Sequence, residues 1–343
     1  MLRDRERIGR RAPAFTLQWH LTNACNAHCR HCYDRAPRPT LPFDEAVAVL
    51  DDLGRFCRRH RVCGQVSLTG GDPMLYPHFW QLYEEIARRG YGISVLGLPA
   101  PEADVARLAA IQPPDYYQVS LEGLREYNDG VRGSGSYART INFLSILHDH
   151  SIPGGVMLTL SRENLGEVVP LARELAGRVN GFNFTRLSQA GSGRNIAQPT
   201  RMDYLAFLRE YMAAARTMRH MRFKDNLISI VRHHRGEPLQ HGCSGFGCGA
   251  AFNFVALLPD GEVHACRKFP SPLGNLHQRT LAEIYESALA KRYRRGPRAC
   301  RYCVLRPVCG GCLAVTWSAG GNFFADRDPH CFMTDRKRLL AGF

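Results

Sequence analysis

No stretch of the 343-residue sequence is apolar for long enough to cross a membrane; the longest apolar runs have the length of a β-strand. The first residues, MLRDRERIGRRAPAF, are charged and lack the apolar segment of a secretory signal. Both absences predict a cytoplasmic protein without a membrane anchor. Internal repeats and low-complexity tracts are also missing. So are an RNP motif, zinc-finger spacing and interleaved basic and aromatic residues, which argues against a nucleic-acid partner. Acidic residues are the scarcer charge: 31 Asp and Glu against 45 Lys and Arg give a formal net charge of +14. That balance suits an acidic partner. The basic run Lys291 to Arg298 reads more simply as a solvated helix end than as an RNA contact.

Cysteine is abundant. Thirteen cysteines in a reducing compartment argue for metal or redox chemistry rather than disulfides. Hydrophobic periodicity alternates between strand and helix from residue 14 onward. Strands are expected near Phe15–Leu21, at QVSLTGGDP, at Ile93–Leu98, Tyr116–Gly123, Gly154–Leu160 and Gly181–Leu187. Helices are expected between them, among them Pro42–Cys57 and Phe79–Gly90. Such alternation predicts an α/β fold with a parallel sheet, here a partial (β/α)6 barrel over residues 1–235, with chemistry at the carboxy-terminal strand ends. After Gly236 cysteine and glycine become dense and helical periodicity shortens. Residues 236–343 are expected to form a second module organised by cysteines rather than by a large apolar core, with one clear helix, Thr280–Arg295. Cys57 and Cys63 stand apart and are expected to pack in the core.

Cys25, Cys29 and Cys32 fall within eight residues after the first strand. Three thiols are one short of a closed four-ligand site. A zinc site completed by His28 or His31 is one alternative. A cubane cluster with one iron left open to a chelating substrate is the other. The spacing Cys25-x3-Cys29-x2-Cys32 with Tyr33 behind it resembles the radical SAM family signature. That resemblance implies a [4Fe–4S] cluster whose open iron binds S-adenosylmethionine (SAM) and yields a 5′-deoxyadenosyl radical. Thr69-Gly70-Gly71-Asp72 resembles the family's GGE-like turn, with Asp where Glu is usual. Ser120-Leu121-Glu122-Gly123, followed by Asn128-Asp129 and Arg132-Gly133, resembles a further family segment. The implied SAM contacts are Tyr33, Thr69, Gly70, Gly71, Asp72, Ser120, Arg132 and Leu187, with Thr159 and Asn164 more loosely placed.

The later cysteines resemble the SPASM extension of that family, which holds two auxiliary [4Fe–4S] clusters. By its interlocked pattern Cys243, Cys248, Cys266 and Cys312 would hold one, and Cys300, Cys303, Cys309 and Cys331 the other. Cys309 and Cys312 are separated by two residues where three are usual, a departure that bears on Cys312. The cofactors implied are three [4Fe–4S] clusters and SAM. The implied activity is that of a SAM-dependent oxidoreductase maturing a ribosomally made peptide or protein, supplied with electrons by a flavodoxin or ferredoxin. Only about 24 residues precede Cys25, so a separate leader-binding domain is not expected, although the net charge would suit an acidic leader. Arg267 follows Cys266 where sulfatase maturases carry an Asp. The glycine-rich run from His241 to Asn275 resembles maturases of the selenobiotic or thio(seleno)oxazole type. A tetrapyrrole-pathway radical SAM oxidoreductase and a non-catalytic iron–sulfur protein are the competing readings.

Overall fold

A computed structural model of the chain describes residues 2–3, 11–239 and 242–334; most of the charged amino-terminal segment lies outside them. A nine-stranded sheet organises the molecule. Strand β1 (Ala14–Thr22) buries alternate side chains in its first half and nearly all in its second, because both faces become covered. Helix α1 (Phe43–His60) follows. It starts behind Pro42 with Asp44 and Glu45 in its first turn, carries Arg58, Arg59 and His60 in its last, and stops where Arg61 turns left-handed. The chain continues through β2 (Cys63–Gly70), α2 (Phe79–Arg88), β3 (Gly92–Leu96), α3 (Glu102–Ile111) and β4 (Tyr116–Ser120). Helices α4 (Arg125–Arg132) and α5 (Ser136–Asp149), β5 (Gly154–Leu160), α6 (Val168–Glu174) and β6 (Gly181–Arg186) complete the alternation. Strands β1 to β6 pair in chain order and all in parallel, for instance Leu17 opposite Val66 and Val156 opposite Phe182. This is the expected α/β architecture with a parallel sheet. No helix among the described residues is long and apolar enough to cross a membrane.

Helices α7 (Arg201–Ala214) and α8 (Ile228–His234) follow. Thr200 and Asp203 close a reciprocal cap at the start of α7. The chain then returns to the sheet. Strand β7 (Phe254–Leu257) lies parallel to β1 on its outer side, with Thr16 opposite Phe254. Strands β8 (Glu262–His264) and β9 (Pro272–Asn275) extend it antiparallel. The later segment therefore does have an apolar core, contrary to the sequence expectation. Phe252, Val255, Val263, Ile284 and Tyr285 are buried in the same cluster as Phe15 and Phe56. The Phe15 and Tyr285 rings meet edge-on at 5.8 Å. Sequence periodicity misses this because the apolar strands are only three or four residues long.

Two smaller expectations fail. Thr280–Arg295 is two helices, α9 (Leu281–Glu286) and α10 (Ala288–Arg295), split at Ser287. Ser287 is extended, and its hydroxyl accepts the Ala290 amide, so it ends one helix and caps the next. Cys63 is exposed at the start of β2, whereas Cys57 is buried in α1 as expected. A last helix, α11 (Leu313–Ser318), begins directly after Cys312.

Candidate active site

Residues 23–41 leave the carboxy-terminal end of β1 as a loop without regular structure, held in place by backbone contacts from three sides. The turn after β2 supplies two: the Gly71 amide donates to the Thr22 carbonyl at 2.7 Å and the Asp72 amide to the Ala24 carbonyl at 2.8 Å. The end of α4 supplies a third, Arg30 N–H to the Val131 carbonyl at 3.0 Å. A short turn at Gly191–Asn195 supplies the last, Ser192 N–H to the Cys32 carbonyl at 2.8 Å. Gly71 is required here by space, since a Cβ would lie 2.2 Å from the Ala24 carbonyl oxygen. The two glycines thus make room for the cysteine loop itself. Asp72 accepts the Met74 amide and caps its own turn; it does not line the adjoining cavity.

That cavity, of about 360 Å³, lies where the ends of the strands meet the loop. Cys25, Cys29 and Cys32 are the only cysteines on its wall. Tyr33, Thr69, Gly70, Gly71, Ser120, Arg132 and Leu187 line it too, as does Thr159. Burial pushes the Cys25 thiol up, and that of Cys29 likewise although Arg132 opposes it. Burial also carries the Tyr33 phenol to about 12.

Glu122 is the electrostatic centre of this end and was not singled out by the sequence. It is 1 % exposed. Its Oε1 accepts from Arg132 at 3.0 Å and lies 3.3 Å from His31 Nε2, while Oε2 accepts the Thr159 amide at 2.7 Å. Burial alone would raise its carboxyl, but His31, Arg132 and that amide together hold it below the usual range. His31 is thereby drawn to a carboxylate. Asn164 is buried behind this group, donating to the Glu122 and Thr159 carbonyls, and serves as a latch rather than a wall residue. Arg267 and Lys268, neither expected as a cavity residue, reach the cavity from the loop after β8. Arg267 donates to Thr69 Oγ1 at 3.2 Å, and Lys268 to Thr185 Oγ1 at 2.9 Å. The SLEG run was the one available signal for Glu122, and the position directly after Cys266 was the signal for Arg267; nothing local marks Lys268.

The remaining cysteines gather in two places. Cys243, Cys248, Cys266 and Cys312 line one cavity of about 50 Å³ with Lys224, Lys268 and Arg186. Cys300, Cys303, Cys309 and Cys331 line another of about 20 Å³. Cys312 stands with the first group despite the shortened gap before it. The Cys248 amide donates to the Cys309 carbonyl at 2.9 Å, so the two groups share a backbone link. Burial carries the Cys266 thiol to about 12 and lifts those of Cys309, Cys312 and Cys331. Four thiols to a cavity, with every cysteine free of a disulfide, fit a group that binds sulfur as thiolate, Cys243 being the one exposed member of the two quartets. Among the described residues no three His, Cys, Asp or Glu converge tightly enough for a single metal ion. A cubane cluster distributes its ligands over separate irons and asks for a wider arrangement.

A buried ion-pair group stands between the two cavities. Arg186 donates to both oxygens of Asp328 at 2.8 and 2.7 Å and to Asp225 at 2.7 Å. His330 Nε2 lies 2.7 Å from the Pro199 carbonyl, which leaves Nδ1 to accept from Arg186 at 3.0 Å. Asp328 also accepts the Cys312 amide at 2.8 Å. A second, polar and open chamber of about 450 Å³ shares Leu96 and Gln118 with the loop cavity and is lined also by Gln18, Asn183, Arg222 and Lys224. Lys224 makes no ion pair with a described carboxylate, and burial lowers its ammonium from the ordinary value.

Residues 19–175 match the Radical SAM superfamily, and residues 248–312 match SPASM, an iron–sulfur cluster-binding domain. The chain is 28% identical to the AdoMet-dependent heme synthase of Methanosarcina barkeri, over 94% of this chain and 97% of that protein. It is 28% identical to the mycofactocin maturase MftC of Mycobacterium ulcerans, over 92% and 87%. A solved structure of anSMEcpe with bound AdoMet and a peptide superposes with a TM-score of 0.71 at 16% identity, covering 96% of this chain and 98% of that one, a likeness of fold.

Proposed function

Because the chain belongs to the radical SAM superfamily and carries a SPASM iron–sulfur domain, we propose that it is a SAM-dependent enzyme that matures a ribosomally made peptide or protein. In this reading Cys25, Cys29 and Cys32 would hold a [4Fe–4S] cluster, which would supply the one-electron reduction that SAM cleavage requires, and the substrate would give up a hydrogen atom. The single observation behind it is that these three thiols, with no fourth, face a cavity large enough for a small ligand at the strand ends. Thr69, Gly70, Gly71, Ser120, Thr159 and Leu187 are among the other residues that would surround that ligand. Arg132, paired to Glu122, sets positive charge beside the thiols and would offset charge accumulated there. The two cysteine quartets are assigned to two auxiliary clusters, giving three in all.

The peptide assignment is supported by the similarity to a maturase and by the net positive charge. It is tested by incubating reduced holoenzyme and SAM with the product of a small neighbouring reading frame and following its mass. Loss of hydrogen or formation of a crosslink is expected, with equimolar 5′-deoxyadenosine. A tetrapyrrole substrate is the second reading. Lys224 and Arg222 on the polar chamber would suit propionate groups, and the similarity to a heme synthase spans nearly both chains. Turnover of an iron porphyrin with an unchanged peptide would decide for it.

A further inference from the structure

The lobe around the second cysteine quartet is charged on one side only. From Ser287 to Ala325 the sequence has no Asp or Glu, while seven Lys and Arg lie between Lys291 and Arg306. Lys291, Arg292, Arg298 and Arg301 are exposed. They belong to one surface: Arg292 covers the Phe324 ring at 4.1 Å, the Arg298 amide donates to the Phe324 carbonyl, and Arg306 donates to the Arg295 carbonyl. The next acidic side chains along the chain are engaged elsewhere, Asp326 with the Asn322 amide and Asp328 with Arg186. Tyr302 and Val304, next to Arg301 in the chain, are 85% and 67% exposed, and the Arg301 guanidinium lies 4.7 Å over the Tyr302 ring. Cys300 and Cys303 flank Tyr302 in the chain and are only half-buried.

We propose that this surface docks a soluble, acidic one-electron carrier protein of the flavodoxin or ferredoxin class, which exchanges electrons with the centre held by Cys300, Cys303, Cys309 and Cys331. The proposal rests on reading that quartet as a cluster site. Arginine around an exposed aromatic is the composition of an interface anchor, and a field of one sign steers an acidic partner to it. A phosphate backbone would use the charge but has no use for thiols one residue from the aromatic. In the transfer the carrier loses one electron and the centre gains one; no bond forms or breaks and no proton moves.

The test uses full-length reconstituted protein, both wild type and a Cys25→Ala/Cys29→Ala/Cys32→Ala form in which electrons reach only the auxiliary centres. Each is mixed with the hydroquinone of an acidic flavodoxin in stopped flow. Arg298→Glu/Arg301→Glu is expected to slow flavodoxin oxidation about tenfold at low salt, and added salt to slow the unreversed protein similarly. Dithionite, a small reductant that needs no docking, is expected to reduce all forms at equal rates. Tyr302→Ala is expected to weaken flavodoxin binding without altering the salt dependence. Flavodoxin rates within about twofold of wild type after charge reversal would overturn the proposal. So would unchanged flavodoxin rates with a loss of RNA retention on filters, which would assign the surface to RNA. Absence of any dithionite-bleachable auxiliary absorbance would instead remove the cluster reading, and the proposal with it.

Discussion

Glu122 and Arg186 each hold a group of buried charges, and each is visible only in three dimensions. Glu122 sits in the chain between Leu121 and Gly123, and nothing nearby says that His31, Arg132 and the Thr159 amide will all turn to it. The cysteines were legible because ligand spacing is local: three in one loop, and pairs two residues apart. The ion partners of Glu122 and Arg186 come from sequence separations of 10 to 142 residues, where a single sequence carries no signal. Arg186 gives the sharpest prediction at this scale. Asp225 and Asp328 are nearly inaccessible, 8% and 4% exposed, and both depend on its guanidinium. Arg186→Met leaves two buried carboxylates unpaired and should destabilise the protein by roughly 3–5 kcal/mol in anaerobic urea unfolding. A loss under about 1 kcal/mol would mean that the charges relax or are hydrated.

The turn after β2 shows the difference between reading an element and reading its neighbours. TGGDP was legible as a glycine turn at a strand end. Its packing was not: the glycines admit the carbonyls of Thr22 and Ala24, and Asp72 caps the turn. Gly71→Ala would drive a methyl group into the Ala24 carbonyl and displace the three-cysteine loop. Iron content should fall from about 12 to about 8 atoms per chain, with SAM cleavage lost and the auxiliary absorbance kept. Full iron and full SAM cleavage in that variant would show that the loop tolerates the shift. The glycine-rich spacer before β7 has a structural reason of the same sort. Gly247 is left-handed, at φ +76°, and a Cβ there would meet the Cys309 amide nitrogen at 2.7 Å, so it permits the link between the two quartets. The split of Thr280–Arg295 escaped periodicity because α9 and α10 keep apolar residues at helical spacing on both sides of Ser287.

At the scale of the molecule, one sheet carries both the three-cysteine loop and the later cysteines. Strand β7 beside β1 fixes the quartets relative to the strand from which the loop emerges. Asp52 on α1 adds a second tie by accepting the Leu281 amide at 2.6 Å. The parallel α/β order was legible because each strand and helix announces itself locally; the added strands were not, being short, and the first of them is paired to a strand more than 230 residues earlier. The molecule is thereby arranged for one event at the strand ends, and one measurement addresses it most directly. Anaerobically reconstituted protein is given dithionite and SAM, and 5′-deoxyadenosine is quantified for wild type and for Cys25→Ala/Cys29→Ala/Cys32→Ala. Steady release by wild type and none by the variant are expected; equal release by both, or none by fully iron-loaded wild type, would contradict the role proposed for the three thiols.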